Sequence, residues 1–574
     1  IAERLELALN RLRTPVENVR EEPKAAETML SGILTRVGTD SAQSQSLSLS
    51  DAIRRALQNN NNIEIAKNDV RFADTQLRAL LGTYDGTVTV SPTYSNNVQP
   101  QTSTLGGADL SGVTRSNSFQ ADSSFSKFLK SGGGNYSVFF NSNRNSTSST
   151  FSQLNPTFGT TLGVSFTQPL FRGLKIDNTR RAIRIQRKRI EQSDADFQRQ
   201  TIDVVTQVQR AYWDLVFALR DQQNKTANLN LSKENLRRVE ASIAAGKSAP
   251  LERAEVSTEL ANREAEVLVA AQQVSIAENS LKVLMLRDPA SNEWNQSLIP
   301  TDQPFFSVDP ISLDGALKDA IGNRPELRRL KAQQEINSID RQYFKDQLKP
   351  RIDLNSSFTL IGLSGTSNGP TTPFTTPLIS GDPTTSSNAF LLSELRKLNP
   401  LIVVPNITVS PSLNPQFIGG YRQSLTNLFK TDTRTFTIGA TISFPIRNTA
   451  AKADLAGAEI QKNQIDAQMR AQEQSIIAEV RNAVQSVETA RQRVLAARRA
   501  RENAEIQLNG ERKLFDVGRS TTFLLFQREN ALANTRNAEI RAETDFTKAL
   551  AELQKASSTT FKVNNIEVES PLKP

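Results

Sequence analysis

The stretch from Ile176 to Ala245 contains neither proline nor glycine. Its apolar residues are spaced alternately four and three apart, at Val204, Val208, Ala211, Leu215 and Ala218. This seven-residue repeat predicts a helix that packs along its length against other helices. Unbroken, such a helix would be about 105 Å long. It is predicted to end at Gly246, and Pro250 is predicted to begin a shorter helix over 251–286.

The same pattern returns in the second half of the chain, over 451–517. The matching apolar residues lie about 272 positions further on, at Ile476, Val480, Ala483, Val487 and Ala490. A shorter helical segment, Leu49–Leu57, returns at Leu313–Ile321 with a shift of about 264. Helix, strand and turn segments recur in the same order, so the chain is predicted to contain two internal repeats.

Between the helical segments, apolar residues alternate with Ser, Thr and Asn, which predicts strands. The predicted strands are 87–97, 117–128, 134–145 and 158–169 in the first repeat, and 351–362 and 434–445 in the second. Such alternation over about ten residues is typical of transmembrane β-barrels. One chain supplies too few strands to close a wide barrel, and open edges are not stable in lipid, so several chains would complete it. The phenylalanines could instead form the core of a soluble β-sandwich.

The predicted organisation places the two repeats between extensions. Residues 1–46 form an N-terminal extension with helices near 2–13 and 25–36, followed by a Ser/Gln spacer. The first repeat is 47–287, the linker 288–312 and the second repeat 313–556. The second repeat contains helices over 313–347 and 521–555 and a long loop, 363–433. Residues 557–574 form a C-terminal tail.

Composition restricts the chemistry. The chain contains no Cys and no His, which excludes Cys-ligated zinc, Ser–His–Asp and Cys–His catalysis. We therefore expect no enzyme, no catalytic residue, no metal and no cofactor. Its net charge of +9 is spread along the chain without a recognition motif, so we expect no nucleic-acid partner. No run of 18 apolar residues predicts a transmembrane helix.

Several short motifs carry a resemblance to a known family. In chain order, they are Asp51-Ala-Ile at the start of the first repeat, Gln168-Pro-Leu-Phe171, Arg210-Ala-Tyr-Trp-Asp-Leu215, the Gly-x-Ser turn at Gly246, Leu348-Lys-Pro-Arg-Ile-Asp-Leu354, and the second Gly-x-Ser turn at Gly518. In this order over 47–556, the chain resembles the TolC-like outer-membrane efflux proteins.

The resemblance implies an α+β membrane protein that forms a homotrimer. Long antiparallel helices would form a trimeric α-barrel in the periplasm, and each protomer would give four strands to a shared transmembrane β-barrel of 12 strands. The trimer would lie in outer-membrane lipid of a Gram-negative-type cell. It would be the passive exit duct of a tripartite efflux or type I secretion system, opened at its periplasmic tip by an adaptor and an inner-membrane pump. The alternative is a soluble coiled-coil scaffold or interaction protein.

The resemblance places a gate at the two helix–helix turns. The candidate residues are Gly246, Lys247, Ser248, Glu252, Glu255, Asp516, Gly518, Arg519, Leu524 and Gln527. Where the drug-efflux archetype has aspartates after the second turn, this chain has Leu524 and Gln527. Glu252 and Glu255 are therefore the better candidates for an acidic aperture, although acids near a helix start also simply compensate the helix dipole. Asp516 could pair with Arg519 or Lys247, or remain solvated.

A run of basic residues begins the first long helix, at Arg180, Arg181, Arg184, Arg187 and Lys188. One reading is a membrane-proximal basic collar at the phospholipid head groups, where a cation near an anionic surface contributes about 1 kcal/mol. The other is a solvated helix face.

Overall fold

The computed structural model describes residues 40–101, 112–149, 151–246, 249–307, 309–368, 374–409, 413–430 and 433–572. Described residues up to Thr75, Arg187–Glu335 and those from Lys462 onward form one compact unit, here called the helical unit. Gln76–Gln186 and Ile336–Gln461 form the other, the sheet unit. The helices predicted near 2–13 and 25–36 lie outside the described residues.

The elements follow the same order twice. The first repeat contains β1 (Asp40–Leu47), α1 (Leu49–Asn59), α2 (Asn61–Leu81), β2 (Thr87–Pro100), β3 (Val113–Phe128), β4 (Asn135–Thr147), β5 (Leu154–Pro169), α3 (Asn178–Ala244) and α4 (Pro250–Met285). After β6 (Gln296–Pro300), the second contains α5 (Leu313–Asn323), α6 (Pro325–Gln347), β7 (Arg351–Ser367), β8 (Phe374–Pro377), α7 (Ser387–Leu398), β9 (Asn406–Val409), α8 (Tyr421–Lys430), β10 (Arg434–Ser443), α9 (Thr449–Asp516), α10 (Thr522–Ala556) and α11 (Thr560–Val563). In the part of the chain that the structure describes, no helix combines the length and apolar character that a bilayer span requires.

The repeats share local signals as well as order. The hydroxyls of Ser48 and Ser312 cap α1 and α5, accepting from the third residue of each helix in both cases. The long helices α3 and α9 have 67 and 68 residues. Gly246 and Gly518 follow them with φ of +72° and +75°, a left-handed conformation that glycine adopts without strain.

The sheet unit contains one antiparallel sheet of six strands in the order β10-β7-β5-β4-β3-β2. All six strands predicted from the alternation of residues are present in this sheet, whereas the four strands per protomer that the resemblance implied are too few. The hairpin β3–β4 lies between β2 and β5 and pairs with both without a register shift. It fits there because its strands alternate apolar and polar residues as their neighbours do.

Three segments that the sequence suggested were spacers contain regular structure. The Ser/Gln tract forms β1, which pairs in parallel with β6 of the linker and buries Leu47. The stretch 363–433 contains β8, α7, β9 and α8, and β7 continues to Ser367. The tail adds α11, and Ile566 and Leu572 pack against the main core of the helical unit. Backbone pairing with a distant strand and a few buried apolar side chains stabilise these segments. Their largely polar composition gives no sign of either in the sequence.

Candidate functional site

The two faces of the six-stranded sheet have opposite chemistry. One row of directly paired residues crosses all six strands with apolar side chains: Val88, Phe125, Val138, Val164, Phe358 and Phe436. The adjacent row projects from the other face and contains only hydroxyls: Thr87, Ser126, Ser137, Ser165, Ser357 and Thr437. Successive residues of a strand point to opposite faces, so the sheet separates an apolar face from a polar face.

The apolar face is not covered as a core would be. Val88 is 70% exposed, Ile438 63% and Phe436 67%. The edge strands β2 and β10 are exposed along their full length. A face of this kind is characteristic of a surface that another molecule or a lipid phase covers.

The two helix–helix turns lie in the helical unit and are joined through their second helices. Glu252, in the first turn of α4, accepts a hydrogen bond from the Thr522 hydroxyl of α10 at 3.4 Å. Glu255 is exposed. Lys247 and Ser248 lie outside the described residues.

At the second turn, Asp516 and Arg519 are exposed and form no ion pair with each other. The amide of Arg519 donates to the carbonyl oxygen of Leu514 at 2.8 Å, so its backbone completes the turn. Leu524 donates its amide to the Thr521 hydroxyl that caps α10, and Gln527 is exposed one turn later. These residues share one end of α10, and their role as a gate stays a prediction.

A polar network close to these turns was not found by sequence reasoning. Glu529 of α10 accepts hydrogen bonds from Asn235 of α3 at 3.1 Å and from Arg512 of α9 at 3.4 Å. Burial raises the pKa of Glu529, against the lowering effect of those two hydrogen bonds. Asn530 donates to Glu259 of α4 at 3.3 Å. Helix α10 therefore connects to all three of the other long helices through polar groups.

A second polar cluster is buried where β1 and β6 cover the helices. Glu278 and Lys282 of α4 are each 1% exposed and lie 2.8 Å apart. The Tyr212 hydroxyl donates to Asp302 at 2.6 Å. Burial is the main cause that raises the pKa of Tyr212, and the hydrogen bond to Asp302 adds to it. Sequence reasoning assigned Tyr212 and Trp213 to helix packing, and both are buried.

The predicted basic collar divides into paired and exposed residues. In the sheet unit, Arg180 pairs with Asp177, Arg181 pairs with Asp340 at 2.6 Å, and Arg184 is exposed. In the helical unit, Arg187 is exposed, and Lys188 pairs with Glu191 at 2.7 Å and with Glu335 at 2.6 Å. The hydrogen bonds to these two carboxylates raise the pKa of Lys188. A lipid contact by the collar stays a prediction.

Solved structures of outer-membrane proteins have the same fold as this chain. The Campylobacter jejuni CmeC outer membrane channel matches with a TM-score of 0.58 and 14% identity over 91% of this chain and 90% of that one. The VceC outer membrane protein of Vibrio cholerae matches with a TM-score of 0.56 and 14% identity over 89% and 95%. The Neisseria gonorrhoeae MtrE outer membrane channel, solved in an open state, matches with a TM-score of 0.55 and 16% identity over 89% and 88%.

Sequence comparison is consistent with the structural likeness. No curated protein matches this chain. The family described as "Outer membrane efflux protein" matches residues 135–285 and 405–559, together more than half of the chain, and spans both repeats. Its members are outer-membrane efflux channels and not enzymes, which confirms the resemblance found in the motifs. The chain belongs to the outer membrane efflux protein family.

Proposed function

We propose that three copies of this chain form an outer-membrane channel that is the passive exit duct of a tripartite efflux or type I secretion system. One observation carries the proposal: the sheet presents an apolar row across all six strands on one face and a hydroxyl row on the other. In a channel barrel, the first face contacts lipid and the second lines water.

The edges of the sheet explain why several copies are needed. All five strand pairings are antiparallel, so the edge strands β2 and β10 run in opposite directions. The β2 strand of one copy can therefore pair antiparallel with β10 of the next, with the apolar faces on the same side. A transmembrane barrel needs at least eight strands, more than one copy has. Three copies of a six-stranded sheet would supply eighteen.

The helices are the periplasmic part of the proposed duct. In this proposal, α3, α4, α9 and α10 form the wall of a helical barrel that narrows at the turns after Gly246 and Gly518. The hydrogen bonds of α10 to the other three long helices would keep this narrow end of the barrel closed. A periplasmic adaptor and an inner-membrane pump would open it by displacing these contacts, and no catalytic group is needed in the duct itself.

Two neighbouring residues of β5 test the barrel. Val164 lies on the apolar face and Ser165 on the polar face. In Val164→Arg, a charge faces lipid, which costs about 2–4 kcal/mol at the bilayer midplane. We expect it to reduce the yield of assembled trimer at least tenfold. In Ser165→Arg, the charge faces water, so we expect a trimer with reduced cation conductance. Detergent-solution mass and planar-bilayer conductance provide the measurements.

Two results would contradict the proposal. One is a wild-type protein that is monomeric and soluble without detergent and gives no conductance, which would favour a coiled-coil scaffold. The other is equal tolerance of arginine at both positions, because a lipid face and a water face cannot accept the same charge alike.

A further inference from the structure

Helix α8 lies against the apolar face of the sheet, over β5 and β7. The Ser424 and Thr160 hydroxyl oxygens are 2.7 Å apart, and the Asn427 side-chain amide donates to the carbonyl oxygen of Leu363 at 2.8 Å. Gly362 permits this approach, since a Cβ atom there would collide with the backbone of Ser424. The helix is seated in the half of the sheet remote from the ends that lead into α3 and α9, here called the loop end.

The exposed and buried sides of α8 are unusual for a helix in water. Ser424, Asn427 and Leu428 are buried. Ser424 and Asn427 also form hydrogen bonds to the sheet. Phe429, by contrast, is 73% exposed, and Tyr421 is 40% exposed. A surface helix in water normally exposes its polar groups and buries its aromatic ones. Aromatic side chains on the outer side fit a membrane interface, where one end of the ring is in an apolar phase.

Cationic side chains surround this helix. Arg422 lies at its start and Lys430 at its end, and both are exposed. Arg144 of β4 is also exposed and pairs directly with Phe158, whose ring lies 6.5 Å from that of Tyr421. Arg144 therefore stands beside the start of α8 on the same face.

The strands carry no acidic residue on the apolar face of the sheet. The six strands contain only two acids, Asp122 and Asp353, and both project from the polar face. Arg115 adds one more exposed cation at the loop end of the apolar face. The loop end of this face thus combines positive charge with exposed aromatic and aliphatic surface.

We propose that Arg144, Arg422, Lys430 and Phe429, here called the α8 surface, bind a phosphorylated glycolipid of the outer leaflet. The inference rests on the proposed function, which places the apolar face in lipid and the loop end outward. The cations would donate charge-assisted hydrogen bonds to the phosphate oxygens, for which the guanidinium fork is well suited. Phe429 and the apolar strands would contact the acyl chains.

The test uses the full-length protein in neutral detergent, titrated with lipid A that carries two phosphates or with dephosphorylated lipid A of the same acyl composition. We expect the phosphorylated form to bind at least tenfold more tightly. Each cation near an anionic head group is worth about fivefold in affinity, so the triple variant R144Q/R422Q/K430Q should lose on the order of a hundredfold. Lys127→Gln is the matched control, because Lys127 is an exposed cation on the same face at the opposite end of β3.

Several outcomes would overturn the inference. They are equal binding of the two lipid A forms, unchanged binding by the triple variant, or a loss in Lys127→Gln as large as that in the single variant Arg422→Gln, which would indicate diffuse attraction. Binding of phosphatidylglycerol as tight as that of lipid A would replace glycolipid recognition by a general anionic-lipid surface. Planar-bilayer conductance is measured separately and tests the proposed function. Conductance from both the wild type and the triple variant supports the channel, whereas a wild-type protein that gives no conductance contradicts it.

Discussion

The helix pairs α3/α4 and α9/α10 share the same spacing of buried apolar residues. They differ where another segment of the chain covers them. A shift of 272 residues aligns the buried Val208 with Val480 and the buried Leu281 with Leu553 in sequence. At the same shift, four positions change character: Tyr212, Trp213, Glu278 and Lys282 in the first repeat become Val484, Gln485, Leu550 and Gln554 in the second.

Backbone groups of the covering strands explain the polar choice in the first repeat. The ammonium of Lys282 donates to the carbonyl oxygens of Trp294 at 2.7 Å and of Gln296 at 2.6 Å. Glu278 accepts from the amide of Leu298 at 3.2 Å. The ion pair therefore provides hydrogen-bond partners to backbone groups of β6 and of the turn before it, as covered backbone groups require.

The second repeat is covered by side chains instead. Phe306 packs on Phe546 of α10 with ring centroids 5.4 Å apart, and the guanidinium of Arg498 lies 4.7 Å from the Phe306 centroid. An apolar covering side chain such as Phe306 needs no hydrogen-bond partner, so the apolar Val484 and Leu550 can lie beneath it. The two repeats therefore keep the same spacing of apolar residues in their helices, whereas the polarity of the buried positions depends on the segment that packs on them.

The largest effect is expected from Lys282→Met. It leaves the Glu278 carboxylate buried without its cation, which costs about 3–5 kcal/mol. The free energy of unfolding, from urea denaturation of the helical signal, gives the measurement. The double variant E278L/K282Q copies the second repeat and leaves no lone charge, so we expect it to lose less than the single variant. A larger loss in the double variant would show that the ion pair is not what the first repeat requires.

A smaller effect is expected from Tyr212→Phe, which removes the hydroxyl that donates to Asp302. The lost hydrogen bond in a buried site costs about 1–3 kcal/mol. Because the pKa of Tyr212 is raised above 10.0, folding favours its protonated form. The stabilising contribution is therefore complete below pH 10 and is lost as pH rises further, so the gap between wild type and variant should narrow in alkaline solution.

Tyr343→Phe is the control for the tyrosine variant, since the Tyr343 hydroxyl has no hydrogen bond within the described part of the chain. Its unfolding free energy should stay within about 0.5 kcal/mol of wild type. A gap between wild type and Tyr212→Phe that is constant across alkaline pH would argue against the buried, protonated hydroxyl.

The smallest effect on stability is expected at the turns, far from the covered helices. Glu252→Gln and Glu255→Gln together should change the free energy of unfolding by less than about 0.5 kcal/mol, because Glu255 is exposed and the amide oxygen of Gln at position 252 can still accept the 3.4 Å hydrogen bond from Thr522. If these carboxylates line the aperture, the reversal potential in a salt gradient should shift toward lower cation selectivity. Glu264→Gln, nine residues further along α4, is the control. Unchanged selectivity in the double variant would exclude both glutamates from the aperture.

Long periodic elements could be predicted closely from the sequence. The helices predicted over 176–245 and 451–517 are observed at Asn178–Ala244 and Thr449–Asp516. The strands predicted at 134–145 and 158–169 are observed at Asn135–Thr147 and Leu154–Pro169. A repeat of seven or of two over many residues needs no partner to be recognised, and Gly246 and Gly518 mark turns by their conformational freedom alone.

Other parts of the candidate site depend on which elements become neighbours. Nothing near Glu529 in sequence indicates Asn235, which comes from the other repeat. Helix α8 gives a weak signal because its buried side is partly polar, and β1 reads as a polar spacer until β6, some 250 residues later, pairs with it.

The duplicated order of helices and strands, the six strand segments with their alternation of apolar and polar residues, and the family resemblance are thus readable from the sequence alone. The order in which the six strands pair, the register that gathers six apolar residues into one row, and the position of α8 on that face are visible only in the tertiary structure. Periodicity is a property of one segment, whereas register and buried polar contacts arise from pairs of segments that are distant in the chain.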